Sequence, residues 1–315
     1  MTNSIGILLT NIGTPDQATP KAVRQFLREF LSDQDVVSLP RIIWWPILHG
    51  FILRSRPKKS AAFYQKIWTS DGSPLLIYSQ KLAKKLAEEL KMPVEIGMRY
   101  GNPSIKKALE AFREKNINKI IVFPLYPQYS TTTTESTIHY LAKLDAKNSL
   151  QIISHYADNA DYINAITVSI QETWKIRGKA QHLLFSFHGI PKYYIKKGDP
   201  YAHLCHLTAK RVAKELQLTD SQWSLAFQSR LGRAEWLTPY LNKTLAEFPS
   251  RGITQLDVIA PGFSVDCLET LEEIAIRGKE QFLKAGGKSF CYIPALNDQQ
   301  THVTLLKNII IKNIA

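Results

Sequence analysis

A chain of 315 residues, 44 % hydrophobic and 21 % charged, has the composition of a globular protein and the length for two domains of ordinary size. No apolar run reaches the roughly 18 residues that a spanning helix needs, and the three cysteines, Cys205, Cys267 and Cys291, are odd in number and far apart, which argues against a disulfide framework or a metal site of the CxxC type. The net charge of +13 leaves three classes of anionic partner open, nucleic acid, an acidic small molecule or an anionic membrane surface, and no signature of a nucleic-acid-binding module is present.

Residues 1–4 are polar and lead directly into a strand, so no signal segment is expected, and a reducing, cytoplasmic setting fits the cysteine usage. Apolar runs suited to strands fall at 5–10, 94–98, 120–124, 150–154, 183–187, 223–227, 256–259 and 290–293, with helical stretches between them. Thr19-Pro20 and Ser73-Pro74 each set a capping hydroxyl before a proline in a first helical turn. Residues 75–90 carry apolar side chains at helical spacing beneath a Lys/Glu face, and 299–314 reads as a last helix. Such alternation predicts parallel sheets with helices on both faces.

The chain also repeats itself. The stretch 8–15, ending Ile12-Gly13-Thr14-Pro15, matches 184–191, ending His188-Gly189-Ile190-Pro191, and Phe123-Pro124 is echoed by Ala260-Pro261. The first interval exceeds the second by about the length of 36–72, which reads as an insertion into the first of two similar halves. Within it, 42–53 is apolar nearly all round and is followed by Arg54 and Arg56. A core helix is one reading; an exposed lip suited to a membrane interface or a flat aromatic ligand is the other.

Three stretches carry chemistry. His182 to Phe187 is an apolar run that places His188 at the carboxyl end of a buried strand, where open α/β sheets bind ligands. The run 261–273 follows a strand and sets Glu269 and Glu273 four residues apart, on one helical face, with Asp266 near it; Ser264 or Asp266 could cap the helix. Acidic residues in a first turn also complement the helix dipole, but a file of carboxylates can pass protons or, with a histidine, hold a borderline cation such as Fe(II). The hydroxyl-rich run 130–136 suits a helix cap or an anion site.

Ser186-Phe187-His188-Gly189-Ile190-Pro191, Phe123-Pro124-Leu125-Tyr126-Pro127-Gln128-Tyr129-Ser130, Phe227-Gln228-Ser229-Arg230 with Trp236-Leu237, and Pro261-Gly262-Phe263 with Asp266, Glu269 and Glu273 together resemble the ferrochelatases, class I chelatases that close haem synthesis. The resemblance spans essentially the whole chain. It implies two similar Rossmann-like domains, each a parallel sheet flanked by helices, with a cleft between them: residues 1–176 with 296–315, carrying the lip, and 177–295. It implies a lyase that inserts Fe(II) into protoporphyrin IX to give protohaem. Carried over by position, His188 and Glu269 face the metal, Glu273 is the next acid of a relay, and Ile12, Arg99, Tyr100, Tyr126 and Trp236 line the porphyrin pocket. Cys267 stands where some relatives have a histidine, and Ile12 where some have an aromatic. No C-terminal cysteine cluster is present, so iron is expected as substrate only, with no resident cofactor and no [2Fe–2S] centre. Trp44, Trp45, Arg54 and Arg56 are expected membrane contacts of a cytoplasmic protein lying on the inner face of the membrane, and no nucleic-acid partner is expected. A non-catalytic porphyrin carrier, or a chelatase for another tetrapyrrole or metal, are the alternatives.

Overall fold

The computed structural model of the chain describes residues 5–144, 149–232 and 234–314; residues 1–4, on which the expectation about a signal segment rests, lie outside them. The chain divides into two compact units, Met1–His155 with Leu306–Ala315, and Tyr156–Leu305.

The first unit runs β1 (Ile5–Thr14), α1 (Pro20–Leu31), α2 (Arg41–Ile47), a π-helical turn (Leu48–Ile52), α3 (Leu53–Ile67), α4 (Pro74–Leu90), β2 (Val94–Gly101), α5 (Ile105–Glu114), β3 (Lys119–Pro124), a second π turn (Thr131–Glu135), α6 (Ser136–Leu144) and β4 (Ser149–Ile152). Its four parallel strands lie in the order β2-β1-β3-β4. β1 is central and buried on both faces from Gly6 to Asn11, which is why its sequence is a continuous apolar run rather than an alternating one. In α5, Ile105, Ala108, Leu109 and Phe112 share one helical face and pack on Leu8, Ile120 and Val122. Thr19 caps α1 as expected, its hydroxyl accepting the Ala22 N–H at 3.4 Å. Ser73 does not cap α4: its hydroxyl instead accepts from the buried Thr14 hydroxyl at 2.8 Å, a partner 59 residues away.

The second unit runs α7 (Ala160–Arg177), β5 (His182–His188), α8 (Lys192–Lys196), α9 (Tyr201–Glu215), β6 (Trp223–Gln228), α10 (Leu241–Glu247), β7 (Gln255–Ile259), α11 (Leu268–Thr270), a π-helical segment (Leu271–Gly278), α12 (Lys279–Lys284), β8 (Ser289–Ile293) and the start of α13 (Gln300–Ile314). Its parallel sheet has the order β6-β5-β7-β8, which repeats that of the first unit strand for strand. The internal repeat is therefore a real duplication of topology, and Ile12 and His188 stand near the carboxyl ends of equivalent central strands.

The unit boundary differs from the expected one. α7 belongs to the second unit: the Tyr162 hydroxyl donates to the Pro261 carbonyl (2.5 Å) and the Trp174 indole to Asp257 (2.7 Å). The loop after α7 resembles a linker in composition, but these bonds hold the helix to the second sheet. At the other end the second unit extends to Leu305, not 295, and α13 passes into the first unit from Leu306.

The insertion forms α2, the π turn and α3. Leu48 and Leu53, with Trp44 and Ile52, pack against Leu31, while Ile42, Ile43, Trp45, Ile47 and Phe51 are exposed. It is thus a lip with an apolar outer face rather than a core helix. Trp44 turns inward, its indole donating to the Leu31 carbonyl at 2.6 Å, so it does not join the exposed set. Among the described residues no helix is long and apolar enough to cross a membrane.

Candidate active site

The carboxyl end of the second sheet gathers the histidine and the acids. Six buried residues of β5 precede His188, which is half-buried at the strand mouth. Its Nδ1 lies 2.6 Å from the Gly189 carbonyl, an acceptor, so Nδ1 carries a proton and, in the neutral ring, Nε2 is the nitrogen with the lone pair. Gly189 donates its N–H to the Gln228 carbonyl at 2.8 Å. A Cβ on Gly189 would stand 2.8 Å from that carbonyl oxygen and 3.2 Å from the Trp236 ring, so the bare backbone is what lets Trp236 lie beside the histidine loop. The bridge between Pro191 and Trp236 holds the indole there.

The last residue of β6 and the one after it set the acids. The Ser186 hydroxyl donates to Gln228 Oε1 (2.6 Å), and Gln228 Nε2 donates to the Glu269 carbonyl (2.8 Å), so a single buried amide ties β5 to the turn that carries Glu269. Ser229, in the left-handed region at φ 63°, donates its N–H to Glu273 Oε1 (2.9 Å) and its hydroxyl to Oε2 (2.5 Å). Glu269 lies in α11 and Glu273 in the wider π segment that follows. The four-residue α-helical spacing is therefore not what positions the pair; their bonds to Gln228 and Ser229 are.

The other acids of this run are structural. Asp266 is buried and accepts from the Tyr292 hydroxyl (2.6 Å), the Thr270 hydroxyl (2.9 Å) and Asn297 Nδ2 (2.7 Å), which takes it out of the expected file. Glu272, 1 % exposed, pairs with Arg277 at 2.9 Å. Neither Ser264 nor Asp266 caps the helix: the Ser264 hydroxyl meets that of Tyr156 at 2.8 Å, and the N-cap is Cys267 in a capping box with Thr270. Burial pushes the Cys267 thiol up, with Glu269 adding to it.

In the first unit Ile12 is half-exposed among buried neighbours at the end of β1. Gly13 next to it has φ +103°, and a Cβ there would lie 1.8 Å from the Tyr100 carbonyl oxygen; β1 and β2 meet at Gly13 and Tyr100 only because that atom is missing. Arg99 and Tyr100 are committed inside the unit. The Tyr100 and Ser136 hydroxyls both donate to Asp33 Oδ2 at 2.7 Å, and Arg99 pairs with the same oxygen and reaches the Ser136 hydroxyl at 3.0 Å. Burial raises the Asp33 carboxyl, but the Ser136, Tyr100 and Asp35 donors and the Arg99 charge outweigh it, leaving it below its ordinary range. The Arg99 guanidinium is flanked by Tyr100 and Tyr140, 4.6 Å and 4.3 Å from their ring centres. Tyr126 is half-buried, its hydroxyl enclosed without a partner, and burial pushes the phenol up. The Trp236 indole N–H in the second unit is likewise enclosed and unpartnered. Unsatisfied buried donors are uncommon and mark surfaces that gain from a polar ligand.

The ferrochelatase family model matches residues 4–314. The chain is 51 % identical to the ferrochelatase of Methylococcus capsulatus over 308 residues, covering 96 % of this chain and 94 % of that one, and 48 % identical to ferrochelatase 1 of Shewanella oneidensis at the same coverage. The chain belongs to the ferrochelatase family.

As a ferrochelatase it is a metal-chelating lyase of haem biosynthesis that inserts Fe(II) into protoporphyrin IX to give protohaem. Solved structures of similar fold include SirB from Bacillus subtilis with Fe3+ (TM-score 0.59, 11 % identity, 99 % of this chain and 96 % of that one) and CbiX, described as the terminal enzyme of sirohaem biosynthesis in denitrifying bacteria (TM-score 0.55, 11 % identity, 99 % and 100 %). Among the described residues no three His, Cys, Asp or Glu side chains are grouped to hold a metal ion. The bonds that Gln228, Ser229, Asp33 and Ser136 make escape a reading of the sequence. For the first two, position at the end of a strand that ends level with His188 is the usable signal; Ser136 closes the hydroxyl-rich run, but nothing local marks its meeting with Asp33, 103 residues away.

Proposed function

We propose that His188 accepts the pyrrole protons through Nε2, and that Glu269 and Glu273 pass them outward. Free-base porphyrin carries two N–H protons, and an Fe(II) that enters must displace both, so charge is conserved when two protons leave. The observation that carries the assignment is the Nδ1 bond to the Gly189 carbonyl, which leaves the other nitrogen free to act as base or as a transient ligand to iron. Glu273, held through both oxygens by Ser229, is a fixed acceptor for a proton handed on from the strand mouth. His188→Ala is expected to bind porphyrin and to lose metal insertion; full turnover in that variant refutes the role. Glu269→Gln is expected to lower insertion more than porphyrin affinity, and the reverse pattern would make it a packing residue.

In this reading Ile12, Tyr126 and Trp236 contact the macrocycle, the last two offering it unpaired donors, and Arg99 and Tyr100 brace the first unit's strand ends through Asp33. A macrocycle bent by such contacts exposes its nitrogen lone pairs, a strain supplied by binding energy away from the reacting atoms. We infer no resident iron–sulfur centre, because Cys205, Cys267 and Cys291 belong to different elements and two are buried, and no nucleic-acid partner. The protein is assigned to the cytoplasm, peripherally on the inner face of the membrane, with Trp45 and Arg54, together with Ile42, Ile43 and Phe51, making the contact and the half-buried Arg56 behind them.

A further inference from the structure

We propose that a basic groove between α1 and the lip binds the phosphodiester headgroup of an anionic phospholipid. The inference rests on the reading that the lip meets a membrane and adds to it a defined headgroup site.

The groove, of about 580 Å³, is lined by Lys21, Arg24, Gln25 and Arg28 of α1, His49 of the π turn, and Leu53 and Arg54 of α3. Lys21, Arg24 and Arg28 are three, four and seven residues apart, so α1 presents them on one face. Arg24 Nε donates to the Leu53 carbonyl at 2.7 Å, which fixes the arm and leaves both Nη groups for an anion. Among the described residues no carboxylate pairs with Lys21, Arg24, Arg28 or Arg54. The nearby Glu29 is engaged elsewhere, one oxygen with Gln25 at 3.5 Å and the other with the Gly101 N–H at 3.0 Å. His49 Nε2 is enclosed without a partner, and its ring stacks on Trp45, centroids 4.5 Å apart and planes 8° off parallel. Four cations thus line one groove with His49 beside them, a donor set matched to phosphate oxygens.

The apolar rim selects a lipid over a free phosphate. Trp45, whose ring covers His49, is 46 % exposed, and Ile42 and Phe51 are 86 % and 75 % exposed. Such side chains gain nothing from a dissolved anion and much from the acyl boundary beside a headgroup. Duplex nucleic acid would meet the same charge but leave these rings in water.

The test is flotation of the full chain with vesicles of phosphatidylcholine alone or with phosphatidylglycerol, at low salt. Each Lys or Arg near an anionic surface strengthens binding about fivefold, so Arg24→Gln/Arg28→Gln is expected to weaken binding to the anionic vesicles about 30-fold and to leave binding to neutral ones unchanged. The control Lys210→Gln/Lys214→Gln removes the same charge from an exposed face of α9 and is expected to change neither. Thermal unfolding checks that each variant is folded. Equal losses in the two double variants overturn the headgroup site in favour of diffuse charge while leaving the lip reading intact. Trp45→Ser/Phe51→Ser is expected to weaken binding to both vesicles; no effect there overturns the lip reading. Absence of vesicle binding by the unaltered chain overturns both. Binding of inorganic phosphate that depends on Arg24 and Arg28, without vesicle binding, identifies a free-anion site and overturns the lipid assignment, as does tighter binding of duplex DNA.

Discussion

Ser229→Gly separates the positioning of Glu273 from the stability of the fold. The substitution keeps the backbone N–H that donates to Oε1 at 2.9 Å and deletes the hydroxyl that donates to Oε2 at 2.5 Å. A hydrogen bond to a charged group contributes about 1.5–3 kcal/mol, and water can reach the half-buried carboxylate, so the lower figure applies. Against this, Ser229 sits at φ 63°, where a side chain costs roughly 1 kcal/mol that glycine relieves, partly offset by the freedom glycine adds to the unfolded chain. The net loss is about 1 kcal/mol, or roughly 2–4 °C in the melting temperature of a unit of this size. Ser229→Ala loses the same bond and keeps the strain, so it should melt lower than the glycine variant. Yet both free one oxygen of Glu273, and removal of a supporting partner at such a site typically costs 10–100-fold in activity. Anaerobic iron insertion followed by visible absorption should therefore show the glycine variant near-native in stability but down at least about tenfold in kcat, with porphyrin KM little changed. Native kcat in a folded Ser229→Gly protein would refute the argument that Ser229 tunes Glu273 for proton transfer.

Other outcomes follow from the same contacts. Gly13→Ala drives a Cβ to 1.8 Å from the Tyr100 carbonyl at a φ of +103°, so it should destabilise the first unit by more than about 3 kcal/mol; a melting temperature within 2 °C of the parent (about 1 kcal/mol at most) would show that the strand ends can part without cost. Burial holds the His302 imidazole down at about 4, outweighing its bond to the Asn297 carbonyl and the charge of Asp298. The unfolded chain takes up this proton near pH 6.5 and the folded one does not, so stability is complete above about pH 7 and falls on acidification, by about 2 kcal/mol at pH 5. Urea unfolding at pH 7 and 5 should show this loss shrinking in His302→Asn, and an equal loss in both proteins would remove His302 as its source. Arg277→Ala removes the ion pair made by the Glu272 carboxylate, 1 % exposed, and should cost about 1–3 kcal/mol. Adding Glu272→Gln should restore part of that, and strict additivity in the double-mutant cycle would mean that the pair is not coupled.

The central strands were legible because a strand buried on both faces has to be largely apolar, and that is a local property of β1, β3, β5 and β7. The duplication was legible for the same reason, since the strand–x–Gly–x–Pro signature marks the same turn in both units. His188 stood out because its strand declares its own end. By contrast, the partners of polar groups belong to distant parts of the chain. Ser73 and Asp266 both read as caps, and both bond across the fold instead, to Thr14 and to Tyr292 and Asn297. Trp44 and Trp45 are adjacent and chemically alike, and only the packing of α2 on Leu31 decides that one is half-buried and the other exposed.

The sequence by itself thus determined the strands, the doubled topology, the family and the histidine at a strand mouth, because hydrophobic burial and turn chemistry are written within a few residues. Which carboxylates remain available, what holds Glu273, where one unit ends and which cations stand without partners were decided only by the tertiary structure. A hydrogen bond or an ion pair depends on two groups reaching one place, and the chain between them, 44 residues from Ser229 to Glu273, carries no local trace of that meeting.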